Sequence, residues 1–367
     1  MYPSFIVEYG VAPHHLSKQV FVGIVKWLRE TRVEAKHTGR KLEADALKIV
    51  INRIYGALND AMDYLYDPEC TYTVTINLQL LLCGLIEAFE LNNFDVLSAN
   101  TDGLLVRLPL NRQGMFKHIC NEWSAYSKLD LETEKFEKYC RSAVNDYIAV
   151  GYGFYDALQE YNRCGVWIDS KGNTYTTRQA IEDKFIKFKG YFLQDPEYNK
   201  GFVYPVVKKA LKEYFLYGVD ITEFIRNYIN TSRTAIYDYC FSQKVAGKYT
   251  TIYKTVRDGK PVYIKCQKHN RFYICKSGGG AITKAIVPDS DNIAYGDDIS
   301  GIVVEEEKSL VAGQRVALFN DYEYKEDYNL NYGFYINEAY KILYGNGKTG
   351  KGERLGINNN SNNLFGW

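Results

Sequence analysis

Apolar residues recur at helical spacing in several long stretches of this chain. In the first stretch Val22, Val25 and Leu28 lie near one face of a predicted helix, which Gly39 ends. Because only a short turn separates the first two predicted helices, we expect them to form an antiparallel pair. The pattern predicts helices over residues 15–38, 42–58, 74–92, 113–127 and 199–231.

Shorter apolar runs bounded by turn residues predict strands. Two of them flank the turn Asn100-Thr101-Asp102-Gly103, and Asp258-Gly259 marks a hairpin in a segment that is mostly strand. Tyr2-Pro3-Ser4 predicts an ordinary turn at the end of a strand. The stretch 344–363 is rich in Gly and Asn, which predicts disorder. The remaining predicted strands cover residues 135–140, 146–150, 184–191 and most of 248–284.

The composition is that of an ordinary globular protein, with 46% apolar and 24% charged residues among 367. The net charge is only +1, so any surface that binds anions must be local. The eight cysteines lack zinc-knuckle spacing, which predicts reduced thiols and a cytoplasmic protein. The apolar run 78–85 is too short to cross a bilayer, so no membrane partner is expected. The 33 tyrosines fit either base stacking or the packing of amphipathic surfaces.

Two of the predicted helices carry side chains suited to a phosphorylated ligand. Lys48 and Asn52 share one face of the second helix, and Tyr55 lies one turn further along. Arg32 and Lys36 are likewise four residues apart on the first helix. Four converging donors would suit a triphosphate, because ammonium and guanidinium groups make charge-assisted hydrogen bonds to phosphate oxygens. Taken alone, each face is equally typical of a solvated helix surface with neighbouring glutamates as partners.

The order and spacing of these motifs resemble the family B DNA polymerases over residues 1 to about 285. Tyr2-Pro3-Ser4 resembles the end of the family's Asp-x-x-Ser-Leu-Tyr-Pro-Ser motif, and a Lys-x-x-x-Asn-x-x-Tyr-Gly motif is complete at 48–56. Asn100-Thr101-Asp102-Gly103 resembles the Asp-Thr-Asp-Ser motif, although a Thr-Asp-Gly turn alone is ordinary. VNDYIAVG (144–151) and KFKG (187–190) resemble primer-contacting segments, and VYPVVKKALKEYF resembles the start of a thumb.

The resemblance implies an α+β protein with the right-hand fold of a polymerase, in which an antiparallel-sheet palm carries two-helix fingers and a mixed thumb. It implies template-directed DNA synthesis, with transfer of dNMP from dNTP to a primer 3′-hydroxyl by a two-metal mechanism. The implied domains are palm over 1–14 and 61–190, fingers over 15–60, thumb and C-terminal region over 191–345, and a flexible tail over 346–367.

In this family the carboxylate of the hairpin turn holds catalytic magnesium. The resemblance therefore makes Asp102 the expected catalytic and metal-binding residue, with two Mg²⁺ ions as cofactor. Asn100 stands where the family has another Asp, and its amide oxygen would be a metal ligand without negative charge.

The family's other metal-bridging Asp lies five places before Tyr2, and this chain has no residue there. The opening MYPSFIVEYG also lacks the polar lead-in that is usual for a domain. We therefore expect the carboxyl-terminal part of a polymerase, which is incomplete by itself. Its expected partner is an amino-terminal part that supplies the missing Asp and an exonuclease domain.

The resemblance also implies binding roles for two groups of residues. Tyr2 is expected to be a steric gate, because its ring would clash with a ribose 2′-hydroxyl. The residues expected to bind dNTP are the triphosphate ligands Arg32, Lys36, Lys48 and Asn52, together with Tyr55 and Gly56 beside the nascent base pair. The residues expected to contact the backbone of primer–template DNA are Asn145, Tyr147, Lys187 and Lys189.

Three other functional classes fit parts of the sequence. A non-catalytic nucleic-acid-binding subunit with a polymerase fold fits Asn100 and the missing Asp, but the intact fingers face, which only a nucleotide requires, argues against it. GNGKTGK (345–351) resembles a P-loop, yet Gly352 replaces the Ser or Thr that binds magnesium and no apolar strand leads directly into it. An RNA-primed or reverse-transcribing enzyme is disfavoured by Tyr2 and by the family resemblance.

The chain ends with the polar tether GINNNSNN followed by Leu364-Phe365-Gly366-Trp367. Exposed apolar side chains at a terminus favour a pocket, either on the thumb of the same chain or on a partner. Replicative polymerases often end in a short Leu-Phe motif that binds a sliding clamp. A clamp is therefore an expected partner of the tail, and folding back onto the thumb is equally open.

Overall fold

The computed structural model describes residues 1–101, 103–190, 204–245 and 247–344. The chain divides into two compact units, Met1–Glu134 and Lys135–Trp367. All strand pairs in the described part are antiparallel, and helices occupy separate stretches between them. The protein is therefore an α+β protein, as the sequence led us to expect. The finer division into palm, fingers and thumb stays a prediction.

The first unit combines helices with one hairpin. Over residues 1–101 and 103–134 its elements are α1 (Tyr2–Tyr9), α2 (Lys18–His37), α3 (Lys41–Ala57), α4 (Pro68–Leu91), β1 (Asp95–Asn100), β2 (Gly103–Arg107), a short 3₁₀ helix (Leu110–Arg112) and α5 (Gln113–Ser127). Ile6, Val25, Leu78 and Trp123, from four different helices, meet in its core. The two strands pair with Asn100 opposite Gly103, so the predicted hairpin is confirmed.

Tyr2-Pro3-Ser4 lies in the first turn of α1, so the turn predicted at a strand end is wrong. Proline fits at this place, because the first residues of a helix need no intrahelical partner for their N–H groups. Phe5 and Ile6 are buried in the core of the unit, and this burial favours the helix. The helix ends at Gly10, whose φ of +64° suits glycine.

The two helices α2 and α3 form the expected antiparallel pair. Gly39 lies in the turn between them with a φ of +74°. The nearby Ala35 and Ala44 are buried, and their small side chains let the helices approach closely. At the other end of the pair, Phe21 and Leu58 belong to the core that also includes α1.

Helix α4 begins after Asp67, whose side chain accepts a hydrogen bond from the Cys70 amide. Among the described residues it is the one helix long and apolar enough to cross a membrane, with a mean hydropathy of 1.6. Its apolar character therefore extends beyond the run 78–85. One face, with Leu78 and Phe89, is buried in the core of the unit, and 28% of the apolar window is buried in all.

The second unit contains four antiparallel sheets in its described part. Its first elements are β3 (Phe136–Ala143), β4 (Asp146–Gly151), α6 (Phe154–Cys164), β5 (Trp167–Ile168), β6 (Thr174–Tyr175), α7 (Arg178–Phe185) and β7 (Ile186–Lys189). Next come α8 (Pro205–Tyr217), α9 (Ile221–Asn227), a 3₁₀ helix (Tyr228–Thr231), α10 (Ile236–Tyr239), β8 (Cys240–Lys244), β9 (Thr250–Arg257), β10 (Lys260–Cys266), β11 (His269–Cys275) and β12 (Ala281–Ile286). The last are a 3₁₀ helix (Ser290–Asn292), β13 (Glu305–Ser309), β14 (Arg315–Leu318) and α11 (Tyr332–Tyr344). The strand orders of the four sheets are β3–β4–β7, β5–β6, β14–β11–β8 and β10–β9–β12–β13.

Part of the tyrosine excess belongs to the core of the second unit. Tyr239 and Tyr335 are fully buried, and their rings meet edge-on with centroids 5.2 Å apart. The Tyr335 hydroxyl accepts a hydrogen bond from the Ile274 amide and donates one to the Tyr239 carbonyl. Since a buried hydroxyl needs such partners, these contacts fix α11 against β11 and α10.

The hairpin predicted at Asp258-Gly259 is confirmed. It joins β9 to β10, and its φ angles of +48° and +74° are those of a type I′ turn. Strand β7 begins later than predicted, because α7 extends to Phe185. The helix predicted over 199–231 is interrupted in its described part at Gly218, where a φ of +71° ends α8. The P-loop-like stretch 345–351 and the tail Leu364-Phe365-Gly366-Trp367 lie outside the described residues.

Candidate functional site

A pair of stacked tyrosines lies between α1 and α3. The rings of Tyr2 and Tyr55 are parallel to within 1°, with centroids 4.0 Å apart. The Tyr55 hydroxyl lies 2.6 Å from Thr75 Oγ1, which itself donates to the Thr71 carbonyl on α4. Tyr55 is therefore the donor to Thr75, and this bond fixes the stacked pair against α4. The fold thus brings together two residues that the sequence predicted, from separate motifs, to bind nucleotide.

Lys48 and Asn52 lie on the part of the α3 surface that leads to Tyr55. Both are exposed, and within the described part of the chain neither side chain has a hydrogen bond or an ion pair. Gly56, which follows Tyr55, has open space where a Cβ atom would lie. An ammonium, an amide and a phenol therefore follow one another at one-turn spacing on a surface that is open to a ligand.

Arg32 and Lys36 lie on one side of α2. Arg32 is half-buried, and its Nε has no hydrogen-bond partner among the residues that the structure describes. Lys36 Nζ lies 4.0 Å from Glu132 Oε1, and both of these side chains are largely exposed. A loose, solvated ion pair of this kind contributes little to stability. Lys36 is therefore available to an anionic ligand, whereas Arg32 carries a buried donor that the described residues leave unsatisfied.

Four other cations of the helix pair have a carboxylate nearby, at 3.8–3.9 Å for two of them and at 2.8–3.4 Å for Arg40 and Arg53. Those with carboxylate partners within 4 Å are Lys26, Arg29, Arg40 and Arg53. Lys18 and Lys41, near the helix starts, also lack a carboxylate partner within the described ranges. Among the residues that the structure describes, Lys48, Asn52 and the Arg32 Nε therefore lack a close partner, and Lys36 has only its loose contact with Glu132.

Helix periodicity predicts that the two polar groups lie on one side of the helix pair. On α2, Arg32 and Lys36 lie at or beside the row of buried residues. On α3, Lys48 and Asn52 lie beside the corresponding row, and both groups are displaced from their row in the same direction of rotation about the helix axis. In an antiparallel pair whose buried rows face each other, displacement in the same direction of rotation brings both groups to the same side. The arrangement can therefore present its donors to a single anionic ligand.

The predicted metal-binding hairpin is described only in part. Asn100 ends β1, and its Oδ1 accepts hydrogen bonds from the Thr101 amide at 2.7 Å and the Thr101 hydroxyl at 3.2 Å. Asp102 lies outside the described residues. Among the residues that are described, no group of three His, Cys, Asp or Glu side chains could hold a metal ion. The described side chains alone therefore do not fit a two-metal site.

The four residues predicted to contact DNA belong to the sheet β3–β4–β7 and the turn beside it. Tyr147 on β4 lies directly opposite Lys189 on β7, and Lys187 lies opposite Ala149. Directly paired residues and residues two apart share a face, so Tyr147, Lys187 and Lys189 point to the same side. Lys189 Nζ lies 5.9 Å from the centroid of the Tyr147 ring. Asn145 is exposed in the turn between β3 and β4.

Gly190 brings together the two segments that the sequence predicted to contact DNA. Its φ is +62°, and a Cβ atom there would lie 1.8 Å from Asp146 Oδ1 and 2.3 Å from the Asn145 carbonyl oxygen. Only glycine fits so close an approach with such a backbone angle. The Lys-Phe-Lys-Gly segment therefore ends directly against the β3–β4 turn.

Glu182, a buried carboxylate of the second unit, has a structural role. It accepts hydrogen bonds from Arg178 Nε at 3.0 Å and from the Tyr217 hydroxyl, and it pairs with Lys212. Burial by itself would raise the pKa of Glu182, but the hydrogen bonds from Lys212, Tyr217 and Arg178 hold it below its ordinary value. All three partners come from α7 and α8, so this charged cluster joins these two helices.

Some neighbours of the predicted residues belong to no recognised motif. Thr75 holds the Tyr55 hydroxyl, and nothing in its apolar helical surroundings signals that contact. Tyr139 and Arg141 lie on the same sheet face as Tyr147. The strand predicted over 135–140 contains Tyr139 and the buried Cys140 but ends before Arg141, and β3 continues to Ala143.

No protein-family model matches the chain, and no curated protein matches it. Among solved structures, it is similar to the family B DNA polymerase from the hyperthermophilic archaeon Pyrobaculum calidifontis, with 13% sequence identity and a TM-score of 0.46. The similarity covers 94% of this chain and 44% of that polymerase, so the chain spans less than half of its length. A likeness of this degree carries no functional conclusion, so any function has to be supported by the residues themselves.

Proposed function

We propose that the chain is the carboxyl-terminal part of a family B DNA polymerase and takes part in template-directed DNA synthesis. The observation that carries this proposal is the parallel stack of Tyr2 and Tyr55, which joins two separate motifs beside donors that lack close partners. A nucleotide needs such a combination, with a ring surface for its base and sugar and cationic donors for its phosphates. The proposed reaction transfers dNMP from dNTP to a primer 3′-hydroxyl.

In the proposed complex the phosphates of dNTP lie against Arg32, Lys36, Lys48 and Asn52. The ligand would replace the loose contact between Lys36 and Glu132. The stacked ring of Tyr2 would lie beside the sugar and exclude a ribose 2′-hydroxyl. Tyr55 and Gly56 would border the nascent base pair.

The chemical step requires groups beyond the described residues. In this proposal Asp102 holds catalytic Mg²⁺ with Asn100 beside it, and a polypeptide segment with the family's Asp-x-x-Ser motif supplies the other carboxylate. Two Mg²⁺ ions, when bound, would activate the primer hydroxyl and stabilise the leaving pyrophosphate. An exonuclease-bearing amino-terminal part, a sliding clamp bound by the tail and a cytoplasmic site of action belong to the same proposal.

Nucleotide binding by the full chain tests the proposal without requiring catalysis. Lys48→Ala should weaken dNTP binding roughly tenfold to a hundredfold, because a hydrogen bond to a charged group is worth about 1.5–3 kcal/mol. Lys26→Ala is the matched control, since Lys26 is exposed and pairs with Glu30 on α2. Isothermal titration calorimetry measures both variants, and the control should keep wild-type affinity. Equal affinities for wild type and Lys48→Ala would contradict the proposal.

A second candidate function is that of a nucleic-acid-binding subunit without catalysis. The basic and aromatic face of β3–β4–β7 favours it, because such a face binds a phosphate backbone whether or not a nucleotide is present. The two functions differ in their ligands: a polymerase binds dNTP and primer–template DNA, whereas the subunit binds DNA alone. Calorimetry with dNTP and an anisotropy titration with labelled primer–template DNA distinguish them.

A further inference from the structure

Two rows of side chains cross the outer face of the sheet β3–β4–β7. Arg141, Tyr147 and Lys189 are in direct register in the first row, and Tyr139, Ala149 and Lys187 are in direct register in the second. Neighbouring strands lie about 4.8 Å apart, and residues two apart on a strand lie about 6.7 Å apart. These six positions therefore form a compact grid with three exposed cations, two half-buried phenol rings, no carboxylate and the fully buried Ala149.

The grid rests on a rigid support. The opposite face of the same strands carries Cys140, Ile148, Val150 and Ile186, all of which are buried in the core of the second unit. A strand could not shift its register here without moving these apolar side chains out of the core. The cations and rings of the grid are therefore held on the outer face.

The two rings of the grid form a continuous aromatic surface beside the cations. Tyr139 and Tyr147 stack with centroids 4.9 Å apart and an interplanar angle of 28°. Lys187 Nζ lies 5.8 Å from the ring centroid of Phe136, at the start of β3. Burial raises the pKa of Tyr139 to about 12, so its hydroxyl stays neutral and adds no negative charge to the surface.

We propose that Tyr139 and Arg141 bind nucleic acid together with Tyr147, Lys187 and Lys189, and that the ligand is the phosphodiester backbone. This inference rests on the proposed function and adds two binding residues that no motif indicated. The cations neutralise phosphates, while the tyrosine rings pack on sugars or on unpaired bases. Contacts of this kind give affinity without sequence readout.

Fluorescence anisotropy of the full chain, with a labelled single strand and with labelled primer–template DNA at several salt concentrations, tests the inference. Arg141→Ala should weaken binding roughly tenfold and reduce the slope of log affinity against log salt by about one. Arg163→Ala is the matched control, because Arg163 is an exposed arginine on α6. Tyr139→Phe should retain binding and Tyr139→Ala should lose it, since only the second removes the ring. Thermal melting curves verify that each variant is folded.

Equal affinities of the Arg141→Ala and Arg163→Ala proteins would overturn the inference, and so would wild-type affinity in Tyr139→Ala. If Lys189→Ala weakens binding while Arg141→Ala does not, the inference fails and the proposed function stands. If the wild-type chain binds neither probe, both fail. If Arg141→Ala weakens binding of both probes, the inference is supported and the contact is to the backbone of one strand. If it weakens binding of primer–template DNA alone, the inference is also supported and the contact is to the duplex.

Discussion

Tyr2 packs face to face against Tyr55, and the Tyr55 hydroxyl is in turn held by Thr75 on α4. A ring fixed in this way cannot move aside for a bulkier sugar without breaking the stack, which is worth about 0.5–1.5 kcal/mol beyond the area it buries. The contact therefore holds the Tyr2 ring in place, as the steric gate that we propose requires.

Removal of this ring should change the choice between ribonucleotides and deoxyribonucleotides. Tyr2→Ala is expected to raise the affinity for rNTP relative to dNTP by roughly 10-fold to 100-fold, because the space for a 2′-hydroxyl opens. Tyr2→Phe keeps the stacked ring and should keep the wild-type ratio. Calorimetric titration of each variant with matched rNTP and dNTP gives this ratio. An unchanged ratio in Tyr2→Ala would show that Tyr2 is not the steric gate.

His14 and Asp67 form an ion pair that links the segment before α2 to the start of α4. Asp67 Oδ2 accepts a hydrogen bond from the His14 amide at 2.8 Å and lies 2.8 Å from the ring Nδ1. The hydrogen bond to Asp67 raises the pKa of His14 above 6.5. Burial opposes ionisation of Asp67, but hydrogen bonds from Cys70 and His14 lower its pKa to about 2.

The stabilising effect of His14 should depend on pH. A raised histidine pKa stabilises the fold below the unfolded-state pKa, and this contribution disappears as the pH rises through the folded-state pKa. His14→Gln should therefore lower the Tm at about pH 5 and have a smaller effect at about pH 9. Thermal melts at both pH values test this, with His15→Gln as a control that removes no carboxylate contact. A Tm difference that is the same at both pH values would contradict the prediction.

At the scale of elements, the sheet β3–β4–β7 depends on the close approach at Gly190. Gly190→Ala should lower the Tm and weaken binding of primer–template DNA, because its Cβ would meet Asp146 and the Asn145 carbonyl. Gly172→Ala is the matched control: its φ is +82°, but no atom lies within 4 Å of the added Cβ. It should cost only the left-handed backbone penalty of about 1–2 kcal/mol and leave DNA affinity unchanged. Equal DNA affinities for the two variants would show that this approach does not position the face.

The elements also show what local pattern can and cannot determine. The helix predicted over 113–127 has those bounds as α5, because its apolar positions face a single core. Helix α1 was missed, since Tyr-Pro-Ser is typical of a turn and only burial of the next residues makes it helical. Strand β13, with the sequence EEEKS, is exposed throughout and has no apolar alternation to reveal it. The order of the motifs along the sequence indicated Tyr2 and Tyr55 as candidate binding residues. Their stacking could not be predicted, because it depends on how α1 packs against α3.

At the scale of the whole molecule, the net charge is only +1, although each unit has a local surface that carries several cations. The first unit carries the donors of α2 and α3 with the stacked tyrosines, and the second unit carries the basic and aromatic grid. The carboxylates of the helix pair are mostly engaged with its other cations, and the grid itself contains none. Balanced composition is therefore compatible with anionic ligands at both surfaces.

Primer extension tests most directly the central claim that this chain holds catalytic residues of a DNA polymerase. The chain is combined with a polypeptide that carries the Asp-x-x-Ser segment, and extension of a labelled primer is followed with dNTPs and Mg²⁺. Asp102→Ala should abolish extension and leave the affinity for primer–template DNA nearly unchanged, because only the chemical step needs that carboxylate. Asp95→Ala, which removes a carboxylate paired with Arg107 on the same hairpin, should extend normally. Extension by Asp102→Ala at the wild-type rate would contradict the claim.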